Sequence, residues 1–555
     1  MATKKKAVPL NGLFHYKEAG GTFGGEIVAG VSMGILAVCG MFMNMQMVLQ
    51  YTTVDYFSSN NAQIASNGEI VAATWLVSML VAAIGTIVMA LVAKRPFVQV
   101  AGLSLSCVLV STLSIKSGLT YNNMLVAVFV GNVIYLAVAA IPQLRRLFVD
   151  ALPRAVRLAI PAAAGLLMAF VAAQLSGVFV MNNRGVVAYG AQQMLGIGTA
   201  ALSSTPSIST YSFTTDAYHP QLLLSMLACV LAVAVYLFSA RKTKATPFLN
   251  ALLWGTVFFL VASALLVGVI WRTKGFSFNY LWARIWMVGA EDAMQAHLGT
   301  AFGSISLGGA LASGFDFSGY EAEGGSAALL VTSAALNYVF LLLYDAQSTV
   351  DACDTVAKAE GGSKSALPLV VNGATNVVTG LLGVAPFTLG KESVVGTRDR
   401  GRSGLAGIVA GVIMLVSAFV WVVPALFCTI TSYTVQFNLY GHYGKVLQLL
   451  TMCSFSVADA VMMVCGLMML GRSIEAGITG SVERAPFVAT VAATLLLSNL
   501  ACGVACGMIA HVLVNAAPKP KRKGIKPVGF LERVGGVEPL VVTAVLAVML
   551  VLWVL

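Results

Sequence analysis

The sequence predicts an all-α polytopic membrane protein of about fourteen membrane-spanning segments, on three observations. Of 555 residues, 58% are hydrophobic and 10% charged, and the mean hydropathy is +0.87; soluble domains do not have that composition. About a dozen apolar runs approach the roughly 20 residues needed to cross a hydrocarbon core of roughly 30 Å. Basic residues gather in alternate short loops between those runs, the pattern that orients a multi-pass chain.

Taken in order, the first run, 25–49, is too long for a signal peptide and carries no cleavage-site pattern, so it reads as a mature span. Spans two, four, five, six and seven follow at 70–93, 123–142, 157–177, 221–240 and 248–271, each a nearly uninterrupted apolar run. Spans eight, nine, eleven and twelve read likewise at 327–350, 365–383, 404–427 and 450–471. Spans three (96–115) and ten (385–397) differ. Each opens with Pro-Phe (Pro96-Phe97, Pro386-Phe387) and continues through Gly, Ser and Thr, too broken for a regular helix. Corresponding broken segments, third in each half, point to an inverted repeat with its site near the bilayer midplane. The interval 486–515 is long, and Asn499 with Gly503 near its middle divides it into two short helices, spans thirteen and fourteen. The run 538–555 is a further span or an interfacial helix.

Lys4–Lys6, Lys94/Arg95, Arg145/Arg146, Arg241/Lys242, Arg398/Arg400/Arg402, Arg472/Arg484 and Lys519–Lys526 fall on one side when the spans are counted this way. That side is cytoplasmic and includes the N-terminus, in a chain embedded in the cell (plasma or inner) membrane. The parity requires the hairpin at 486–515. The loops 178–220 and 272–326, the latter with Trp282, Trp286, Glu291 and Asp292, then lie outside and read as ordered caps.

Several function classes are excluded. The net charge of +11 sits in orientation loops, so it does not indicate a nucleic-acid partner. The nine cysteines lie mostly within apolar runs without CxxC or Cys/His clustering, and no nucleotide-binding loop, zinc motif or nucleophile elbow occurs. Neither an enzyme, a cofactor nor a metal site is expected, and none of the five histidines suggests a proton relay.

The most informative residue is Glu392, in Gly383-Val-Ala-Pro-Phe-Thr-Leu-Gly-Lys-Glu-Ser-Val-Val-Gly396. A carboxylate at membrane depth costs several kcal/mol without a partner and so marks function. Broken helices with exposed backbone at that depth are how secondary transporters build substrate sites. Read alone, Glu392 also fits a structural ion pair with its neighbour Lys391. Lys391 fits either an interfacial position or a charge that neutralises Glu392 and favours an anionic substrate. Asp459 fits a helix cap as well as a site residue.

Over nearly its whole length the chain resembles the nucleobase/cation symporters, in particular the AzgA-like branch of purine permeases for hypoxanthine, guanine and adenine. The resemblance is carried by Phe14-His-Tyr-Lys-Glu-Ala-Gly-Gly-Thr22, Glu26-Ile-Val-Ala-Gly30, Phe42 and Asn44 of the first span, and Pro96-Phe97, Gly102 and Leu105 of the third. Tyr344-Asp345 with Thr349 matches the eighth span. Glu392-Ser393 with Gly396, followed by Arg402-Ser403-Gly404-Leu405, is the most specific match. The chain departs from the family at Ala101, Ser104, Ser106, Leu342, Gly390, Lys391 and Asp459.

The resemblance implies two inverted seven-segment repeats, with short antiparallel strands in the broken spans three and ten. A core domain would comprise 25–143 and 327–427, and a gate domain 144–272 and 428–515. Residues 1–24 form a cytoplasmic N-terminus, 273–326 an extracytoplasmic loop, and 516–555 a basic segment with the final apolar helix. By resemblance Asp345 and Glu392 bind substrate; as buried carboxylates, either is also a candidate for the coupling proton. Phe42, Asn44, Gly102, Ser104, Ser106, Phe387 and Thr388 line the site, and Lys391, Tyr344 and Asp459 modulate it. The implied partners are a purine nucleobase, a proton or sodium ion, the lipid bilayer and a second copy of the chain.

The chemistry is coherent. A purine edge offers N–H donors that a carboxylate accepts in charge-assisted bonds, and its faces stack on aromatic walls such as Phe42, Phe97, Phe387 and Tyr344. Protonating a buried acid lowers the cost of moving it through a medium of low dielectric, so proton symport by an elevator or rocking motion is expected. The alternative is an anion carrier of the same architecture, for urate, xanthine or sulfate, which would use Lys391. A non-transporting receptor or scaffold would not need unsatisfied backbone within the bilayer.

Overall fold

A computed structural model describes residues 9–57, 64–102, 105, 108, 121–175, 220–241, 246–274, 312, 315, 327–357, 366–418, 455–477, 481–516 and 529–554. A short helix α1 (Pro9–Phe14) precedes the long helices α2 (Phe23–Phe57) and α3 (Ile64–Val92), then strand β1 (Gln99–Ala101). Helices α4 (Tyr121–Ala140), α5 (Arg154–Leu175), α6 (Pro220–Ala240) and α7 (Pro247–Lys274) complete the first half. The second half repeats that order: α8 (Ala327–Ala357), α9 (Leu367–Leu381), strand β2 (Phe387–Leu389), the short α10 (Glu392–Arg398), α11 (Gly404–Ala418), α12 (Phe455–Glu475), α13 (Ser481–Leu497) and α14 (Leu500–Ala516). Two further helices follow, α15 (Phe530–Val534) and α16 (Val537–Val554).

The protein is mostly helical, and its helices are those of a multi-pass membrane protein. Among the described residues five stretches, Phe23–Met41, Asn123–Ala140, Arg154–Ala173, Ala328–Ala357 and Val457–Glu475, are long and apolar enough to cross a bilayer. Large apolar side chains such as Leu237, Phe238, Trp254, Val416 and Leu513 stand exposed on the outside of the bundle, where lipid rather than water suits them.

The halves are related by exchange. Substituting α8 for α2, α9 for α3, β2 for β1, α11 for α4, α12 for α5, α13 for α6 and α14 for α7 turns the packing pattern into itself. Thus α3 and α2 both pack on α11, while α9 and α8 both pack on α4; α6 packs on α7 as α13 does on α14. The pairs α3–α9, α5–α12 and β1–β2 are their own counterparts. This is an inverted repeat with its two-fold axis running through the strand pair.

The packing also sorts the helices into two groups. One contains α2, α3, α4, α8, α9, α10, α11 and both strands; the other contains α5, α6, α7, α12, α13 and α14. At the α5–α12 crossing in the second group, Gly165 and Gly466 face each other so closely that a Cβ on either would overlap the other's carbonyl oxygen. The hairpin expected at 486–515 is present. Ser498 takes a positive φ of 51° at the turn, and the Asn499 side-chain oxygen accepts the Ala501 and Cys502 N–H groups, capping α14.

Candidate functional site

The strands form where proline forbids a helix. Pro96 and Pro386 lack an N–H and push the residue before them towards extended backbone. Three residues on each side then pair antiparallel, Gln99 with Leu389, Val100 with Thr388 and Ala101 with Phe387. The Gly390 N–H donates to the Val98 carbonyl at 2.9 Å, which extends the ladder by one residue. Offsetting the sequence by the separation of the two Pro-Phe pairs maps Gln99 onto Leu389, so this residue pair lies on the two-fold axis.

Outside that ladder, buried polar side chains satisfy the strands. Asn376 donates to the Phe387 carbonyl (2.6 Å) and accepts its N–H (2.5 Å). Asn372 donates to the same carbonyl and to the Gln99 side-chain oxygen (both 3.2 Å), and accepts the Tyr135 hydroxyl (3.1 Å). Gln99 donates its side-chain N–H to the Gly85 carbonyl, and its backbone N–H to Thr86 Oγ1. The Thr349 hydroxyl donates to the Leu389 carbonyl (2.6 Å), and Ser393 Oγ accepts the Val98 N–H (3.0 Å). A short strand pair in a low-dielectric interior requires this many partners, because each unmet backbone group costs several kcal/mol.

The charges lie just past β2. Lys391 turns back to α8, where its ammonium reaches Asp345 Oδ1 (3.1 Å), the Asp345 carbonyl (2.9 Å) and Thr349 Oγ1 (3.0 Å). Glu392, the first residue of α10, is buried, and its Oε2 has no hydrogen-bond partner among the described residues. Room for the carboxylate comes from two glycines. A Cβ at Gly390 would overlap Oε2, and one at Gly40 of α2 would come within 2.9 Å of Oε1. The Thr388 and Tyr344 hydroxyls are also buried without a partner.

The structure brings Asp345, Lys391, Glu392, Thr388 and Gly102 together; a Cβ on Gly102 would press on the Thr388 methyl at 2.7 Å. Asp345 lies within α8 and is 3% exposed. Lys391 is buried and forms its ion pair with Asp345 rather than with Glu392. The reason is chain direction, since β2 ends beside α8 and Thr349 ties Leu389 to that helix. Phe97, Phe387 and Tyr344 are enclosed on all sides, and Tyr344 stacks on Phe340 at 6.1 Å. Asp459 is no cap, being buried within α12. The backbone at Phe42 and Asn44 belongs to α2, but their side chains, and Ser104 and Ser106 altogether, lie outside the described residues.

Sequence reasoning missed Asn372, Asn376, Gln99 and Asp399. The two asparagines stand one helical turn apart in an apolar span, a legible signal of paired backbone contacts. Asp399 was hidden among arginines in the loop after α10. It accepts the Phe248 (3.1 Å) and Leu249 (2.8 Å) N–H groups at the start of α7, and the Ser32 hydroxyl (2.9 Å) of α2. Burial pushes its carboxyl up to about 6 against the pull of those donors. Nearby, Glu26 accepts the backbone N–H groups of Arg402 (2.9 Å) and Ser403 (3.2 Å), joining two of the motifs that carried the family resemblance. No group of three metal-ligating side chains occurs among the described residues.

No family model matches the chain. Guanine/hypoxanthine permease PbuO of Bacillus subtilis (strain 168) is similar to it, 23% identical over 519 residues that cover 91% of this chain and 94% of that protein. The resemblance to nucleobase permeases is thus supported along almost the full length. Among solved structures, the transmembrane domain of a cyanobacterium bicarbonate transporter, BicA, is similar at a TM-score of 0.43, with 15% identity over 88% of this chain and 97% of that one. The murine anion transporter Slc26a9 in its inward-facing state gives 0.44, with 12% identity over 93% and 72%.

Proposed function

We propose that the chain is a secondary active transporter that imports a purine nucleobase across the cell membrane by proton symport. The observation that carries this reading is the buried, unpartnered Oε2 of Glu392 at the end of a strand pair. An acceptor of this kind at membrane depth needs a donor, and a purine edge offers N–H groups in one plane. The relative named for guanine and hypoxanthine supports the substrate class. Thr388 Oγ1, also unpartnered among the described residues, is a further polar atom at the site.

The geometry of Lys391 counts against the anion reading. An ammonium has three donors, and its three oxygen partners here are Asp345 Oδ1, the Asp345 carbonyl and Thr349 Oγ1, which leaves none for an anion. The first packing group serves as the core, with the site, and the second as the gate. The two meet at Cys465 of α12, whose thiol lies 3.8 Å from the Lys391 carbonyl. Protonation of Glu392, together with purine binding, leaves the site neutral and lets the core pass the gate. The N-terminus faces the cytoplasm, and a homodimer forms through the gate.

A thermal-shift screen of purines, pyrimidines, urate and inorganic anions on the purified protein tests the substrate class. Hypoxanthine or guanine is expected to stabilise the wild type and to lose that effect in Glu392→Gln. Stabilisation by sulfate or urate and by no neutral nucleobase would overturn the reading. Uptake into proteoliposomes is expected to follow an inward pH gradient and to collapse with a protonophore.

A further inference from the structure

We infer that the Lys391 ammonium is a tethered counter-ion: it fills an alkali-cation-type oxygen site built by α8, so the protein binds and moves its substrate without sodium. The cage is formed by Asp345 Oδ1, the Asp345 backbone carbonyl and Thr349 Oγ1, at 2.9 to 3.1 Å from the nitrogen. A carboxylate, a helix carbonyl and a hydroxyl converging on one point are oxygen ligands of the type that bind hard cations. Here a side chain of the same protein supplies the cation.

The orientation of each group supports this assignment. The Thr349 hydroxyl donates to the Leu389 carbonyl at 2.6 Å, so its lone pairs face the ammonium. The Ser348 hydroxyl donates to the Asp345 carbonyl at 2.6 Å as well, which fixes that oxygen within the helix turn. Lys391 is itself buried and approaches from the end of β2, so the pair is sealed from solvent. Breaking one partner of a buried pair leaves an uncompensated charge. Removing the ammonium therefore vacates a position faced by Asp345 Oδ1, the Asp345 carbonyl and Thr349 Oγ1, oxygen ligands of a chemistry suited to another cation.

The charge count follows. Asp345 pairs with Lys391, so among the described residues of the site Glu392 is the carboxylate available to a mobile ion. The inference deepens the transport reading and rests on it for the statement about transport, but its cation-binding half is measurable without any substrate.

The experiment compares the wild type, Lys391→Ala and Lys391→Ala/Asp345→Asn in detergent, melting each in sodium, potassium and choline chloride at equal ionic strength. The wild type is expected to melt at the same temperature in all three salts. Lys391→Ala is expected to melt lower in choline and to recover by several degrees in sodium or potassium, and the double variant to lose that recovery. A single variant indifferent to the cation would overturn the inference. Should Lys391→Ala fail to fold in choline, its expression in sodium-containing medium and melting of Lys391→Gln provide the same comparison. Separately, purine uptake by the wild type is expected to be unchanged when choline replaces sodium. A tenfold fall would overturn the inference while leaving the purine reading intact, whereas absence of purine binding in every salt would overturn the purine reading and not the cage.

Discussion

Asn376 holds Phe387 by both ends of its peptide unit, donating to the carbonyl at 2.6 Å and accepting the N–H at 2.5 Å. A strand of three residues has few ladder bonds of its own, so a side chain on the neighbouring helix α9 takes the place of a third strand. The position of β2, and with it of Lys391 and Glu392, therefore depends strongly on the amides of Asn376 and Asn372 in α9.

Replacing Asn376 by alanine strands the buried Phe387 N–H, at about 1–3 kcal/mol, and leaves its carbonyl with Asn372 alone. The variant is expected to melt well below the wild type, and Asn376→Asp, which keeps an acceptor for the N–H but buries a carboxylate against the Phe387 carbonyl, to melt no higher than the alanine variant. Differential scanning fluorimetry decides this; equal melting of all three would show that β2 is held by other means.

Gly40→Ala tests the seat of Glu392, since among the described residues the added Cβ meets only Oε1 of that residue. Purine affinity is expected to fall about tenfold, equivalent to about 1.4 kcal/mol, with little change in melting temperature. Titration calorimetry on the purified variant gives the comparison.

Gly466→Ala places a methyl group against the Gly165 carbonyl at the α5–α12 crossing, where backbone on both sides cannot yield cheaply. Overpacking of this type costs about 1–3 kcal/mol. The expected result is a lower melting temperature, with purine affinity retained in whatever fraction folds.

Asp399 gives a pH dependence whose sign is fixed by burial. Its carboxyl ordinarily titrates near 3.8 and is raised to about 6 in the folded protein, so the folded state binds the proton more tightly than the unfolded state does. Its contribution to stability is full below about pH 4 and is lost as the pH rises through about 6. The melting temperature of the wild type minus that of Asp399→Asn is expected to decline between pH 5 and about 7 and to level off above. A difference that grew with pH would contradict the assignment.

Much of the fold was legible because its signals are strong and local. Apolar length gave the spans, Pro96 and Pro386 gave the interruptions, and Asn499 gave the hairpin. The site was legible in part. Glu392 stood out because an acid at membrane depth is costly, yet nothing local told whether Lys391 faced Glu392 or Asp345, 46 residues away. That choice is tertiary, made by the Thr349 tether that sets Leu389 against α8. Asp399 was illegible for a similar reason: its partners, Phe248 and Leu249, are backbone groups that no side-chain pattern reveals.

The axis through Gln99 and Leu389 bears on energetics. In a protein whose halves exchange under a two-fold operation, swapping the conformations of the halves would turn an inward-open arrangement into an outward-open one of equal free energy. Any resting preference must come from residues that break the exchange. Around the strand pair the charged ones, Asp345, Lys391 and Glu392, all belong to the second half, while the first half contributes Gln99, Val100 and Gly102. The lopsided charge at the axis is one such asymmetry, and on the proposed transport cycle single substitutions there are expected to shift the resting bias as well as affinity.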